Sequence, residues 1–187
     1  MKLYHVSTQH NDEMKVDLSI SPKIYRRTLE WWIPRAGSYD LFSKACESKK
    51  LPLIDGWKHF KVVAELIFEY VRISEYKDSP SRLEFPFFSK SLEDAITFIK
   101  EQRNGVGAIF ICEADATKAH YYNMDLFTEA SDAIKINGLN EDLYTRAQNN
   151  AREYWKTSKE GTTEILYEGF PVIEKLEMIP EVRIDNC

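Results

Sequence analysis

The sequence predicts an α+β fold, and three observations predict it. Apolar residues recur at three-and-four spacing within residues 56–75, the period of an amphipathic helix. Residues 107–112 are instead apolar almost without a break, as in a buried strand. No internal repeat, Gly/Ser linker or shift in composition divides the 187 residues. That length suits one compact domain, so residues 1–187 read as a single unit.

The elements follow in order. Leu3-Tyr4-His5-Val6-Ser7 opens the chain as a short strand, since aromatic and β-branched side chains suit a sheet. Residues 8–37 read as polar and irregular, with Pro22, Pro34 and Gly37 as breakers. Ser38 is placed to cap a helix reaching about Ser48, with Leu41, Phe42 and Ala45 on its inner face. Val63, Leu66, Ile67, Tyr70 and Val71 mark a stronger helix from about Gly56 to Glu75. Pro80 closes that region, and Leu83 to Phe88 reads as a strand. Ser91-Leu92-Glu93-Asp94 has the form of a capping box, so a helix follows to about Arg103. Gly107 to Cys112 reads as a buried strand and Ala119 to Tyr122 as another. Residues 123–140 read as a loop with helical pieces, and Glu141 to Trp155 as a helix. Glu164 to Tyr167 and Phe170 to Leu176 read as two strands hinged at Gly169, a hairpin.

Composition narrows the function classes. Lys plus Arg is 25 against 30 Asp plus Glu, so the formal net charge of −5 lacks the overall basicity of a dedicated nucleic-acid binder. An enzyme acting on nucleic acid needs only a local positive face. Cys46, Cys112 and Cys187 lie far apart without a CxxC pair, which argues against a zinc knuckle or disulfide framework and for a reducing cytoplasm. The N-terminus has no apolar leader region, and no apolar run approaches the roughly 18 residues of a membrane span. A soluble cytoplasmic protein without membrane contact is expected. His10, His59 and His120 have no partners at metal-ligand spacing, so no metal is expected. The dinucleotide, P-loop, zincin and hydrolase strings are absent as well. Glu93 and Asp94 are explained by a helix N-terminus.

Three short stretches remain. Tyr4-His5-Val6-Ser7 ends the opening strand, Phe87 to Ala95 carries a strand into a helix, and Thr162-Thr163-Glu164-Ile165-Leu166 opens a late strand. Taken singly, each has an ordinary reading: a strand histidine, a Ser cap, a solvated Glu.

Their order and settings together resemble the ADP-ribosyltransferase superfamily. That pattern is a first-strand His followed by a small hydroxyl, an aromatic/Ser strand feeding a helix, and a Glu on a late strand. More closely, the chain is similar to a bacterial family attached to that fold. The matching pieces are Glu65-x-x-x-Glu69-x-x-Arg72, Pro80-Ser81-Arg82, the aromatic/Ser stretch, Asn123-Met124-Asp125, Ala151-x-x-Tyr154-Trp155 and Glu164-Ile165-Leu166. They cover residue 3 to about residue 176. The resemblance implies a split central β-sheet flanked by helices and an NAD-dependent mono-ADP-ribosyltransferase, with NAD as substrate.

It implies roles too. Glu164 would be catalytic, binding the ribose 2′-hydroxyl and stabilising an oxocarbenium-like transition state. His5 and Ser7 would contact the ribose, with the backbone beside His5 gripping the carboxamide. Ser89 and Ser91 would shape the floor and steady Glu164, and Phe88 would stack on nicotinamide. Arg82 would hold the pyrophosphate, since a guanidinium matches phosphate oxygens, or form a surface ion pair. Tyr154-Trp155 reads as core packing first and as a ring platform second.

Two departures from the general pattern stand out, the first bearing on the nicotinamide contact and the second on the acceptor. Phe87-Phe88 stands where many members use Tyr, and Thr162 stands where arginine-directed transferases carry an acidic or amide partner. Arginine is therefore disfavoured as acceptor. Small bacterial members of this kind look like intracellular toxins of toxin–antitoxin or phage-defence systems, some modifying nucleic-acid bases. The expected acceptor is a base in single-stranded RNA, ahead of DNA, and an antitoxin is a further expected partner. Lys23, Arg26, Arg27, Trp31, Trp32 and Arg35 form a basic-aromatic concentration that suits single strands. The competing reading folds these Trp rings into the core. Protein-directed transfer is one functional alternative, and a catalytically inactive interaction module of the same fold is another.

Overall fold

A computed structural model describes residues 1–7, 30–48, 59–102, 105, 107–156, 161–169 and 171–179. In chain order the elements are β1 (Lys2–Ser7), α1 (Tyr39–Ser48), α2 (His59–Glu75), β2 (Phe87–Phe88), α3 (Leu92–Gln102), β3 (Gly107–Glu113), β4 (Ala119–Asn123), α4 (Met124–Asn137), α5 (Glu141–Trp155), β5 (Thr163–Tyr167) and β6 (Val172–Ile179). Short 3-10 turns occupy Ile33–Gly37 and Ala116–Lys118. The fold is α+β.

The strands form two antiparallel three-stranded sheets, ordered β1-β3-β6 and β2-β5-β4. Alternation along the strands builds four layers from them. Leu3, Ala108, Phe110 and Cys112 of the first sheet meet Phe88, Ile165 and Tyr167 of the second in one apolar cluster between the sheets. On the outside of the first sheet, Tyr4, Val6 and Ile109 pack beneath Ala95 and Ile99 of α3. Outside the second, Leu166 and Tyr122 pack against α2, α4 and α5 in the largest cluster. The two sheets meet at one bridge, where Tyr4 N–H donates to the Ser89 carbonyl (3.1 Å) and Ser89 N–H to the Tyr4 carbonyl (2.8 Å).

Four expectations change here. Residues 123–140 are not a loop: α4 runs from Met124 to Asn137, with the Asn123 side chain accepting from Asp125 N–H and Gly138 at φ 71° closing it. Phe127, Ala130 and Ile134 are buried along one face at helical spacing, and that face drives the helix against α2 and α5. β5 and β6 are not a hairpin, because β5 is the middle strand of its sheet with both edges occupied; β6 crosses to pair with β3. The strand expected over 83–88 shrinks to Phe87–Phe88, since Ser81 accepts from the backbone N–H of Glu84 and Phe85 and makes a turn. Leu41 does not face inward; it is 58% exposed, whereas Phe42 and Ala45 are buried.

Candidate functional site

The strongest concentration of chemistry lies on the helix-facing side of β5. Glu164 alternates with Ile165, so it shares a face with Leu166 and points at α2 and α5. There it meets Arg82, which the turn after Pro80 carries into the core; Arg82 is only 6% exposed and Glu164 7%. Arg82 spends Nε and NH2 on Glu65 of α2, at 2.9–3.1 Å. Its NH1 donates to the Tyr154 hydroxyl at 2.8 Å and pairs with Glu164 Oε1. Tyr154 in turn donates to the same Glu164 oxygen at 2.6 Å. The guanidinium lies over the Phe127 ring at 4.1 Å and the Phe87 ring at 4.8 Å. One helix turn along α2, Glu69 binds Arg72 through two bonds and accepts from Ser81.

Two carboxylates share one guanidinium, so the Glu65–Arg82–Glu164 cluster has an excess negative charge when all three ionise. Burial raises the carboxyl pKa of Glu65 above its ordinary value, against the attraction of Arg82. Burial alone would lower Arg82, but Glu164 and Glu65 outweigh it and lift Arg82 well above its ordinary value, so it stays charged. Burial also lifts Tyr154 well above the usual phenol range, which keeps it a hydrogen-bond donor.

The second locus is the junction of the sheets. His5 donates from Nδ1 to the Phe87 carbonyl at 2.8 Å, and its ring packs on Phe88 and Phe110 at 5.4 and 6.4 Å. Tyr4 turns both its backbone groups toward β2, so strand alternation turns those of Val6 the same way. Were the ladder to continue from Tyr4–Ser89, Val6 would face Phe87. The imidazole takes the Phe87 carbonyl instead, and the sheets part there. Among the described residues nothing bonds the N–H or carbonyl of Val6 on that side.

The predicted residues therefore fall into two groups. Glu164 and Arg82 come together. His5, Phe88 and Ser89 come together at the junction, with Ser89 one register step beyond Phe88–Ile165 and so opposite Glu164. His5 and Glu164 face opposite sides of the β2-β5-β4 sheet. Arg82 is neither a surface ion pair nor open to a phosphate, because its donors are committed to carboxylates and a phenol. Ser91 caps α3, accepting from Asp94 N–H, and does not steady Glu164. Phe88 is 2% exposed and packs between the sheets. Trp32 is also 2% exposed and packs edge-on against Phe42, so it cannot stack on a base. Trp31 is covered by its own neighbour Arg35, whose guanidinium sits 3.8 Å over the ring. Arg26, Arg27 and the side chain of Ser7 lie outside the described residues.

Sequence reasoning assigned no role to Glu65. Its signal was a lone acid on the apolar face of α2, between Ala64 and Leu66, where an unpaired charge would not be tolerated. Tyr154-Trp155 is core, as first read: Tyr154 stacks on Tyr122 and Trp155 donates to the Phe68 carbonyl. Burial pushes the Cys46 and Cys112 thiols up to about 11, so neither is a thiolate at neutral pH. His120 pairs with Glu168 at 3.0 Å. Among the described residues no cluster of His, Cys, Asp and Glu is placed to hold a metal, and no helix is long and apolar enough to cross a membrane.

A family model described as a protein of unknown function (DUF2441) matches residues 3–180. The chain belongs to that family. No curated protein matches it. The span from residue 3 to residue 180 includes both loci, the Arg82 cluster and the His5 junction.

Proposed function

We propose that the protein is an NAD-dependent ADP-ribosyltransferase of the α+β, split-sheet kind, with its substrate seated where β1 and β2 part. One observation carries the reading: His5 occupies the place of a Val6–Phe87 ladder step and leaves a backbone donor and acceptor facing the split. An adjacent N–H and carbonyl match a carboxamide, which carries the complementary pair. A molecule in the split has His5 on one side and the Ser89–Glu164 row on the other.

In the reaction the bond between nicotinamide nitrogen and ribose carbon breaks, and nicotinamide leaves with the electron pair. The ribose carbon becomes cationic and then bonds to an acceptor, which loses a proton. The Glu164 carboxylate stabilises that cation. Removing such a group slows transfer by roughly 10²–10³-fold.

The test is nicotinamide release from NAD by the purified chain, with labelled ADP-ribose followed into RNA, DNA and protein fractions. Glu164→Gln should keep the fold, because the Glu65–Arg82 pair left behind is neutral, and should abolish release. A second reading, an inactive interaction module, draws on the deep burial of Glu164. Absence of release by a folded wild-type chain would establish it over the first.

A further inference from the structure

We propose that Arg82 and Tyr154 are positioning residues that hold Glu164 by its Oε1 oxygen and leave Oε2 to meet the substrate. The inference rests on Glu164 acting in ADP-ribosyl transfer, and it gives Arg82 a task different from phosphate binding.

The geometry is asymmetric. Arg82 NH1 and the Tyr154 hydroxyl both converge on Oε1. No hydrogen bond to Oε2 occurs among the described residues. Arg82 also donates to the Tyr154 oxygen, so the three groups close a ring in which each fixes the other two. Glu65 anchors the far side of the guanidinium through both of its own oxygens. Phe127 and Phe87 confine the guanidinium plane from the sides. A carboxylate held this way has one rotamer, and its second oxygen has one direction.

The holding groups come from three separate elements. Glu65 stands on α2, Arg82 on the turn after Pro80, and Tyr154 at the end of α5. The other ionisable groups on this side are Tyr122 on β4, whose phenol is pushed up to about 12 by burial, and the Glu69–Arg72 pair on α2. Tyr122 is therefore uncharged at neutral pH, and Glu69 and Arg72 offset one another. Arg82 is the cation that faces Glu164, and Tyr154 donates because its own proton is firmly held.

Tyr154→Phe is the decisive variant, because it removes one hydroxyl and keeps the ring that stacks on Tyr122. In nicotinamide release from NAD by the full chain, kcat should fall about tenfold or more while KM for NAD stays within about twofold. Arg82→Lys, which keeps a cation, should retain more turnover than Arg82→Gln. A role in packing alone would lower the melting temperature without splitting kcat from KM in the folded enzyme. Unchanged kcat in folded Tyr154→Phe would overturn the inference.

A wild-type chain that releases no nicotinamide would overturn the transfer reading instead. Carboxyl ¹³C NMR then judges the positioning by itself, with no NAD present. The Glu164 carboxyl resonance at a fixed neutral pH should move in Tyr154→Phe, which lacks the hydroxyl bonded to Oε1, and an unmoved resonance would refute the positioning too.

Discussion

On the helix-facing side of β5, Glu164 and Leu166 enter a layer packed against α2, α4 and α5, and Glu164 is balanced there by a buried cation. One residue along, Ile165 and Tyr167 face β1 and β3, where contact is apolar and the polar group that intrudes is His5. The first region pairs its buried carboxylates on one guanidinium. The second spends a side chain on a backbone carbonyl and thereby opens a sheet. Buried charge that is fully paired rigidifies a core, whereas an interrupted ladder leaves directional donors and acceptors for something else to use. On the proposed transfer reading, the junction would bind and the cluster behind β5 would hold.

The largest effect should come from breaking the first region. Arg82→Met leaves Glu65 and Glu164 buried with no cation and should cost about 3–5 kcal/mol in urea unfolding. A loss under about 1 kcal/mol would mean the cluster is not the internal tie described here. Next is the start of β5. Gly161 sits at φ 74°, and a Cβ there would overlap the Asp125 carboxylate that accepts from Thr162 N–H. Gly161→Ala should cost about 2 kcal/mol, read the same way, and an unchanged midpoint would show the turn is free to relax.

The open region should be softer. His5→Ala removes one hydrogen bond and should cost about 1 kcal/mol, yet weaken NAD binding and turnover together. A titration with unchanged affinity would confine His5 to parting the sheets. Leu41→Ser, at an exposed position of α1, should move stability by no more than about 0.5 kcal/mol. A larger loss would mean that Leu41 is covered in solution.

The smallest effect at neutral pH is one of ionisation. Burial pushes Tyr122 and Tyr144 up to about 12, from an ordinary value of 10.0. The folded chain therefore holds these protons more tightly than the unfolded chain. Their contribution is intact below pH 10 and is lost as pH rises through about 12. Melting curves across that range should fall, and Tyr144→Phe should flatten part of the fall. Parallel curves for the variant and wild type would remove Tyr144 from the account.

Local pattern was enough for much of the fold. β1, α2, β3 and α5 are legible because each repeats its period over several residues, and Ser91 starts α3 with its hydroxyl accepting from Asp94 N–H. α4 was also within reach, since Asn123 and the spacing of Phe127, Ala130 and Ile134 are a cap and a stripe. The short β2 and the turn before it were not, because Arg82 is drawn inward by Glu65 and Glu164 from elsewhere in the chain.

By itself the sequence determined the helical and extended segments, the apolar stock of the core and the acidic balance. It also supplied the separate pieces from Glu65 to Glu164 that prove to touch. Only the tertiary structure decided that β5 pairs with β2 and β4 and leaves β6 to β3, that Trp32 turns inward, and that Glu164 and His5 look to opposite sides of one sheet. The reason is physical. Period and propensity act over a few residues, whereas strand partners and the pairing of a buried charge are chosen by groups far apart in the chain, 82 positions in the case of Arg82 and Glu164.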